Sequence, residues 1–237
     1  MFSSIHPFAL SFVEGPASIF KQPVRAPLSA RAPQFKLYLV TDRQQTHGRD
    51  LPFVIEEALA GGVNAVQLRE KDLGGRELFF LAEKLKALCE RYRAELYIND
   101  RVDVALAVDT SGVQLGAGSL PVRAVRELLG AEKTIGVSTH SVGEAEEAQK
   151  SGADFVLFGP VYFTPSKAAY GAPRGLAALK EVVEKISLPV YAIGGVKADN
   201  VDRMMEAGAR GVALISAVLS APDPRKAAQD ILSSLGR

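Results

Sequence analysis

Tryptophan is missing from these 237 residues, cysteine occurs once and histidine three times. The single thiol, Cys89, cannot close an internal disulfide, so the fold must rest on its core, which suits a reducing cytoplasm. The three histidines, His6, His47 and His140, are scattered along the chain, and nothing has the spacing of a zinc site. Neither sign of charge dominates: 28 Lys and Arg stand against 27 Asp and Glu, a formal net charge of +1. That balance speaks against a nucleic-acid surface, because binding to a phosphate backbone needs a basic excess or stripe. No run approaches the ~18 consecutive apolar residues of a membrane-spanning helix. Gly-x-Gly-x-x-Gly is also missing after the first predicted strand, where a dinucleotide-binding fold carries it.

What is present is a hydrophobic content of 47%, enough for one barrel-sized core or two small ones. Residues 1–34 stand apart, with Ser, Pro, Ala and Phe in no steady period, three basic residues (Lys21, Arg25, Arg31) and one acid, Glu14. This composition reads as a disordered arm, a transit-like segment or an over-extended reading frame. The folding domain is therefore placed at 35–237.

From Phe35 onward, short apolar runs alternate with amphipathic stretches. Strands are expected at 36–40, 65–68, 95–98, 112–115, 134–137, 155–158, 190–193 and 211–215. Helices are expected at 53–60, 75–92, 102–107, 121–129, 142–150, 176–186, 200–207 and 224–235. Strands that are apolar throughout and separated by single helices imply parallel βα units with both sheet faces covered. Three segments repeat one plan of helix end, glycine and strand: 60–66, 150–156 and 206–212. Glycine there accepts the left-handed conformation that closes a helix. Eight such units fit a single-domain (β/α)8 TIM barrel, whose usual size is ~250 residues. A doubly wound open sheet is the competing arrangement, and the missing glycine fingerprint weakens it.

In such a barrel the site lies at the C-terminal ends of the strands. After strand two the chain reads Arg69-Glu70-Lys71, a fork of donors and a compact cation suited to a phosphorylated ligand, or else a solvated charged loop. Gly194-Gly195 after strand seven and Ser216-Ala217 after strand eight together suit phosphate bound by backbone N–H groups, although Ser216 alone reads better as a helix cap. Gly159 to Lys167 after strand six is a long loop with two prolines, Thr164, Ser166 and Lys167, read as a stiffened flap over a ligand. Asn99 and Asp100 after strand three offer hard oxygens for Mg²⁺ facing a diphosphate, although Asp100 could instead cap the helix that follows it, and Asp103 could pair with Arg101. His140 is the one histidine that follows a strand and is a candidate acid/base.

Taken together, Gln67-Leu-Arg-Glu-Lys71, Ile98-Asn-Asp100, Gly136-Val-Ser-Thr-His140, Gly159-Pro-Val-Tyr-Phe-Thr-Pro-Ser-Lys167 and Ala192-Ile-Gly-Gly195 resemble thiamine phosphate synthase. The resemblance runs from Phe35 to about Leu235, in a superfamily shared with the thiazole tautomerase branch, TenI. It implies the joining of hydroxymethylpyrimidine diphosphate to a thiazole phosphate with Mg²⁺ assistance and release of pyrophosphate. It further implies that Arg69, Lys71, Asn99 and Lys167 contact the diphosphate and that Gln67 lies near the pyrimidine. Asp100 would bind Mg²⁺, and Ser138 would assist at the leaving group or the pyrimidine. Thr164 would meet the thiazole phosphate, held also by Gly195 and Ser216, with Ser166 beside Lys167 in the flap.

The chain departs from that pattern after strand four, where Gly-Val-His-x-Gly-Gln-x-Asp is expected and Gly112-Val113-Gln114-Leu115-Gly116-Ala117-Gly118-Ser119 stands, and again in the strand-six loop. Ser119 stands where a second Mg²⁺-binding Asp is expected, a weaker and neutral ligand, and Phe163 stands where proline is usual. The Gly118-Ser119 pair is similar to the tautomerase branch, in which a His in the place of His140 moves a proton and no metal is required. Lys71, Asp100 and Lys167 favour the synthase, since a tautomerase has no diphosphate for them to bind. A third reading is a silent barrel that binds a thiazole or thiamine phosphate as a regulator. The expected partners are therefore phosphorylated small molecules, with neither nucleic acid nor membrane, and association into a homo-oligomer stays open.

Overall fold

The computed structural model describes residues 33–164 and 172–235. All the expected strands form: β1 (Leu37–Val40), β2 (Ala65–Leu68), β3 (Glu95–Asn99), β4 (Gly112–Leu115), β5 (Thr134–Thr139), β6 (Phe155–Phe158), β7 (Val190–Ile193) and β8 (Gly211–Leu214). They close into one parallel barrel, β8 returning to β1 with Leu37 opposite Val212 and Leu39 opposite Leu214. The (β/α)8 expectation holds, and the open doubly wound sheet is excluded. Around the barrel lie α1 (Leu51–Ala60), α2 (Gly75–Arg91), α3 (Val102–Val108), α4 (Val122–Leu129), α5 (Val142–Ser151), α6 (Gly175–Lys185), α7 (Val201–Glu206), α8 (Ser216–Leu219) and α9 (Pro224–Leu235).

The differences from the sequence expectation have local causes. α1 begins at Leu51-Pro52 rather than Phe53, because proline in a first turn gives up only an N–H that has no intrahelical acceptor. β5 runs on through Ser138 and Thr139, which pair with Leu157 and Phe158 of β6, so Ser138 sits on a strand instead of a loop. Two elements too short for a periodic signal, the 3₁₀ turn Arg43–Thr46 and α8, follow β1 and β8.

Period-two alternation divides each strand. Leu37 and Leu39 pack outward against the helices, whereas Tyr38 joins an inner cluster with Tyr97, Phe155, Tyr191 and Phe35. Phe35 precedes β1 and plugs the base of the barrel, its ring 4.4 Å from Tyr191 and edge-on to Phe155 at 5.6 Å. Tyr191 donates to the carbonyls of Pro33 (3.2 Å) and Phe35 (3.1 Å), and Arg210 donates to the Gln34 side chain (2.9 Å). Pro33 and Gln34, placed with the arm in the sequence reading, thus touch the barrel, and residues 1–32 lie outside the described residues. The helix-glycine-strand plan recurs as read: Gly152 at φ 96° caps α5 and donates to the Gln149 carbonyl before the chain enters β6. Cys89 is buried in α2, and burial pushes its thiol up to about 12, so it is a core residue and not a nucleophile.

Candidate active site

At the C-terminal mouth of the barrel lies a cavity of about 430 Å³ with walls drawn from seven strand ends, those of β1 to β3 and β5 to β8. Its floor continues the inward side of the strands. Gln67 follows Ala65 by two residues in β2 and is 2% exposed; its Nε2 donates to the Tyr38 hydroxyl at 3.3 Å, which fixes the amide from below. Arg69 keeps the same parity and lines the cavity, its backbone N–H donating to Thr41 Oγ1 at 2.8 Å. No carboxylate pairs with its guanidinium among the described residues.

The neighbouring charges have other duties. Glu70 is buried and accepts from the Arg43 backbone (3.1 and 3.2 Å) and guanidinium (3.1 Å). Arg43 also grips Asp72 with both terminal nitrogens, at 2.6 and 2.7 Å, and holds that carboxyl below the usual carboxylate range. Two acids thus consume Arg43, lock the loop after β1 to the loop after β2, and leave Arg69 free. Lys71 is exposed and is not part of the cavity wall.

Asn99, at the end of β3, lines the cavity; Asp100 beside it is exposed, with a left-handed φ of 66°. Its N–H donates to the Gln114 carbonyl at 3.0 Å. The residue preceding α3 is Arg101, without a side-chain cap, so the Asp100 carboxylate is not spent on that helix; Arg101 instead pairs with Asp103. Ser119 closes the loop after β4, its Oγ accepting from the Gly116 N–H at 2.8 Å, and it does not reach the cavity wall. Among the described residues no three His, Cys, Asp or Glu gather as a metal site.

Ser138 and His140 line the cavity from the end of β5. The His140 Nδ1 faces the Gly159 carbonyl, which can only accept, so Nδ1 carries a proton and Nε2 is the ring nitrogen left for a ligand. Its backbone N–H donates to Glu144 Oε2 at 2.7 Å, while Ser141 accepts from the Glu144 N–H at 3.2 Å; the cap of α5 therefore also positions His140. Thr164 lines the cavity, and Ser166 and Lys167 lie outside the described residues.

Opposite, Gly194 (φ 101°) and Gly195 (φ 65°) turn the chain after β7, and both line the cavity. A Cβ on Gly194 would fall 2.6 Å from Pro160 Cα, and one on Gly195 2.6 Å from Tyr162 Cβ, so only glycine lets this turn lie under the flap. Asn200 braces it, donating to the Gly195 carbonyl and accepting from the Lys197 N–H, both at 2.9 Å. Ser216 and Ala217 complete this side, their N–H groups opening α8 without intrahelical acceptors.

Two polar lining residues, Lys197 and Gln45, escaped the sequence reading as site members. Lys197 comes two residues after the glycine pair and could have been found from that position. Gln45 sits on the unmarked 3₁₀ turn, which is capped by Asp42 just after β1; Asp42 also lines the cavity and accepts from the Gln44 N–H (3.1 Å) and Gln45 Nε2 (2.6 Å).

A family model described as thiamine monophosphate synthase matches residues 37–218, which holds every strand and each cavity-lining residue named above. The chain belongs to the thiamine monophosphate synthase family. A Geobacter sulfurreducens relative, provisionally named a thiamine-phosphate synthase, is 54% identical over 201 residues, 85% of this chain and 94% of its own. The thiamine-phosphate synthase of Clostridium novyi is 42% identical over 197 residues, 83% of this chain and 97% of its own. Among solved structures, thiamine phosphate pyrophosphorylase from Pyrococcus furiosus superposes with a TM-score of 0.79 at 39% identity, covering 87% of this chain and 98% of its own. The thiamine monophosphate synthase match thus spans the whole cavity-bearing barrel rather than one motif.

Proposed function

We propose that the chain works as a thiamine-phosphate synthase, a transferase of thiamine biosynthesis that joins hydroxymethylpyrimidine diphosphate to a thiazole phosphate and releases pyrophosphate. The carrying observation is a cavity with two separate provisions for anions: Arg69, without a counter-ion among the described residues, on one side, and the Gly194-Gly195 turn with Lys197 on the other. A single phosphorylated substrate would leave one of them unused.

In the reaction the bond from the pyrimidine methylene carbon to the diphosphate oxygen breaks, and the thiazole nitrogen supplies the electron pair for the new C–N bond. Arg69 and Asn99 would hold the departing diphosphate, where fixed donors stabilise charge as it develops. Gln67, clamped by Tyr38, presents its amide oxygen as an acceptor for an amino group on the pyrimidine. Ser138 donates toward the pyrimidine or the leaving oxygen. The Gly195, Ser216 and Ala217 N–H groups, with Thr164 and Lys197, would seat the thiazole phosphate and so set the attack geometry. Lys71, Ser166 and Lys167 belong to the same proposal as rim and flap contacts.

Asp100 fits a magnesium ion: its carboxylate accepts no hydrogen bond from the described residues, and Mg²⁺ takes one or two carboxylates with the remaining positions filled by water and substrate phosphate. Bound there, the ion would offset the negative charge of the diphosphate. Ser119, already used in its own turn, would contribute little. We assign the protein to the cytoplasm on the strength of its lone buried thiol; among the described residues no helix is long and apolar enough to cross a membrane.

One observation favours the tautomerase reading: His140 lines the cavity with Nδ1 held by the Gly159 carbonyl, which leaves Nε2 for proton transfer. A single assay separates the readings: both substrates with Mg²⁺, following thiamine phosphate and pyrophosphate. Equal amounts of the two products are expected. No product from folded protein that binds thiazole phosphate would overturn the synthase, and aromatisation of the thiazole tautomer abolished by His140→Ala would replace it with the tautomerase.

A further inference from the structure

Beneath Ser138 lies a polar group that the mechanism has not used. Gln114 lies between Val113 and Leu115, which pack outward, so its own side chain points into the barrel, where the residue is 1% exposed. Its Nε2 donates to Ser138 Oγ at 3.1 Å. Its Oε1 is buried and has no hydrogen-bond partner among the described residues. Room for that oxygen exists only because residue 136 is glycine: a Cβ there would come to 2.3 Å from Gln114 Oε1 and 2.3 Å from Phe155 Cζ.

The orientation of this amide decides what Ser138 can do. With Nε2 toward Ser138, the hydroxyl oxygen accepts, and its own proton is left to point into the cavity, where Ser138 has no other hydrogen-bond partner among the described residues. The reversed amide would take the Ser138 proton and bury both N–H donors of Gln114 against Gly136 and the Phe155 ring edge. Orphaned buried N–H groups are rarer than under-satisfied carbonyl oxygens, so the observed orientation is the favoured one. A nonpolar side chain of the same length would fill the space but leave the hydroxyl free to rotate.

We propose that Gln114 is a positioning residue for the reaction: its amide holds Ser138 with the hydroxyl proton turned into the cavity, making Ser138 a hydrogen-bond donor to the bound pyrimidine diphosphate. This rests on the synthase reading above. Gln114 touches the metal-binding side only through its backbone carbonyl, which receives the Asp100 N–H at 3.0 Å. Side-chain substitution therefore leaves the Mg²⁺ requirement where it was.

The test is a double-mutant cycle on the full chain with Gln114→Met, Ser138→Ala and the pair, measuring kcat, KM for each substrate and the Mg²⁺ dependence. Gln114→Met should lower kcat roughly five- to tenfold, the scale of one hydrogen bond, with KM for thiazole phosphate and the Mg²⁺ midpoint unchanged. In the Ser138→Ala background it should cost nothing further. Gln114→Glu keeps the shape but offers only acceptors, draws the Ser138 proton back, and should lose at least as much; it also carries the test should the Met variant fail to fold. Wild-type kcat in either variant, or losses that multiply in the double variant, would overturn the proposal. A wild-type protein that makes no thiamine phosphate refutes the synthase reading itself, whereas an active wild type with unaffected variants refutes only the role of Gln114.

Discussion

Replacing Gly195 by alanine tests how closely the phosphate turn lies under the flap. At φ 65° the residue is left-handed, which costs a side-chain-bearing residue ~1–2 kcal/mol. The new Cβ would also lie 2.6 Å from Tyr162 Cβ and 2.8 Å from the Phe163 carbonyl oxygen. Neither atom is the far end of a flexible side chain, so backbone must move, and overpacking of this kind adds ~1–3 kcal/mol. The expected loss is therefore about 2–5 kcal/mol. Gly48 supplies the control: its φ is 78° and nothing lies within 4 Å of the position a Cβ would take. Gly48→Ala should show the backbone cost alone, ~1–2 kcal/mol, with unchanged kinetics. Urea unfolding followed by far-ultraviolet circular dichroism gives both losses, and the gap between them isolates the contact with the flap. In initial-rate assays Gly195→Ala should raise KM for the thiazole phosphate at least about tenfold, because the shifted segment carries both the turn and Thr164, while KM for the pyrimidine diphosphate changes less. If Gly195→Ala matched Gly48→Ala in stability and left both KM values alone, the turn would neither approach the flap as described nor hold a phosphate.

Arg69→Gln should depress kcat/KM by about 10²–10³, the scale of removing one fixed donor from a developing oxyanion. Lys71→Gln, exposed and outside the cavity wall, should cost less than about fivefold, because a solvated charge is screened; equal losses would restore Lys71 to the clamp. Ser119→Asp should lower the Mg²⁺ concentration for half-maximal rate, and an unchanged titration would mean that the loop after β4 does not reach the metal. Burial raises the Glu95 carboxyl above its ordinary value, partly offset by the hydrogen bond from Tyr97. A raised folded value means that the contribution of Glu95 to stability is fully present below the unfolded pKa and is lost as pH rises through the folded one. Glu95→Gln should therefore be more stable than wild type at pH 7, with the gap closing as pH falls to ~4; a variant less stable at pH 7 would refute the sign.

The barrel was legible because the strands are largely buried on both faces and read as short, mainly apolar runs, and because glycines such as Gly152 mark the helix ends. Strand-end chemistry was legible as composition but not as direction. Ala65, Gln67 and Arg69 keep one parity into the cavity, as do Tyr97 and Asn99 in β3 and Gly136 and Ser138 in β5, while Glu70 and Asp100 fall off parity and face elsewhere. Alternation carried past the strand end would thus have separated Arg69 from Glu70. It fails at Lys71, where the chain has already turned. Arg43 was beyond any pattern: its fate depends on two acids 27 and 29 residues away, brought to it by the pairing of β1 with β2. Gln45 sits on a 3₁₀ turn too short to carry a period.

The pairing of the polar groups explains how such a site can be both rigid and charged. Polar residues on the floor are each held by a partner inside the barrel or at its strand ends: Gln67 by Tyr38, Ser138 by Gln114, His140 by the Gly159 carbonyl. Those bonds fix donors and acceptors before substrate arrives, so little reorganisation is left for the reaction. The cations behave in the opposite way. Arg43, Arg101 and Arg126 are each neutralised by an acid, but no ion pair holds Arg69 or Lys197 among the described residues, and both border the cavity. An unpaired guanidinium at a half-buried position is tolerable while water still reaches it, and it gains most from an anion that displaces that water. The floor is thus suited to reading the shape of uncharged rings and the rim to capturing phosphates. A ligand with a ring but no phosphate should therefore bind far more weakly than its phosphorylated form, and the difference should shrink as salt is raised.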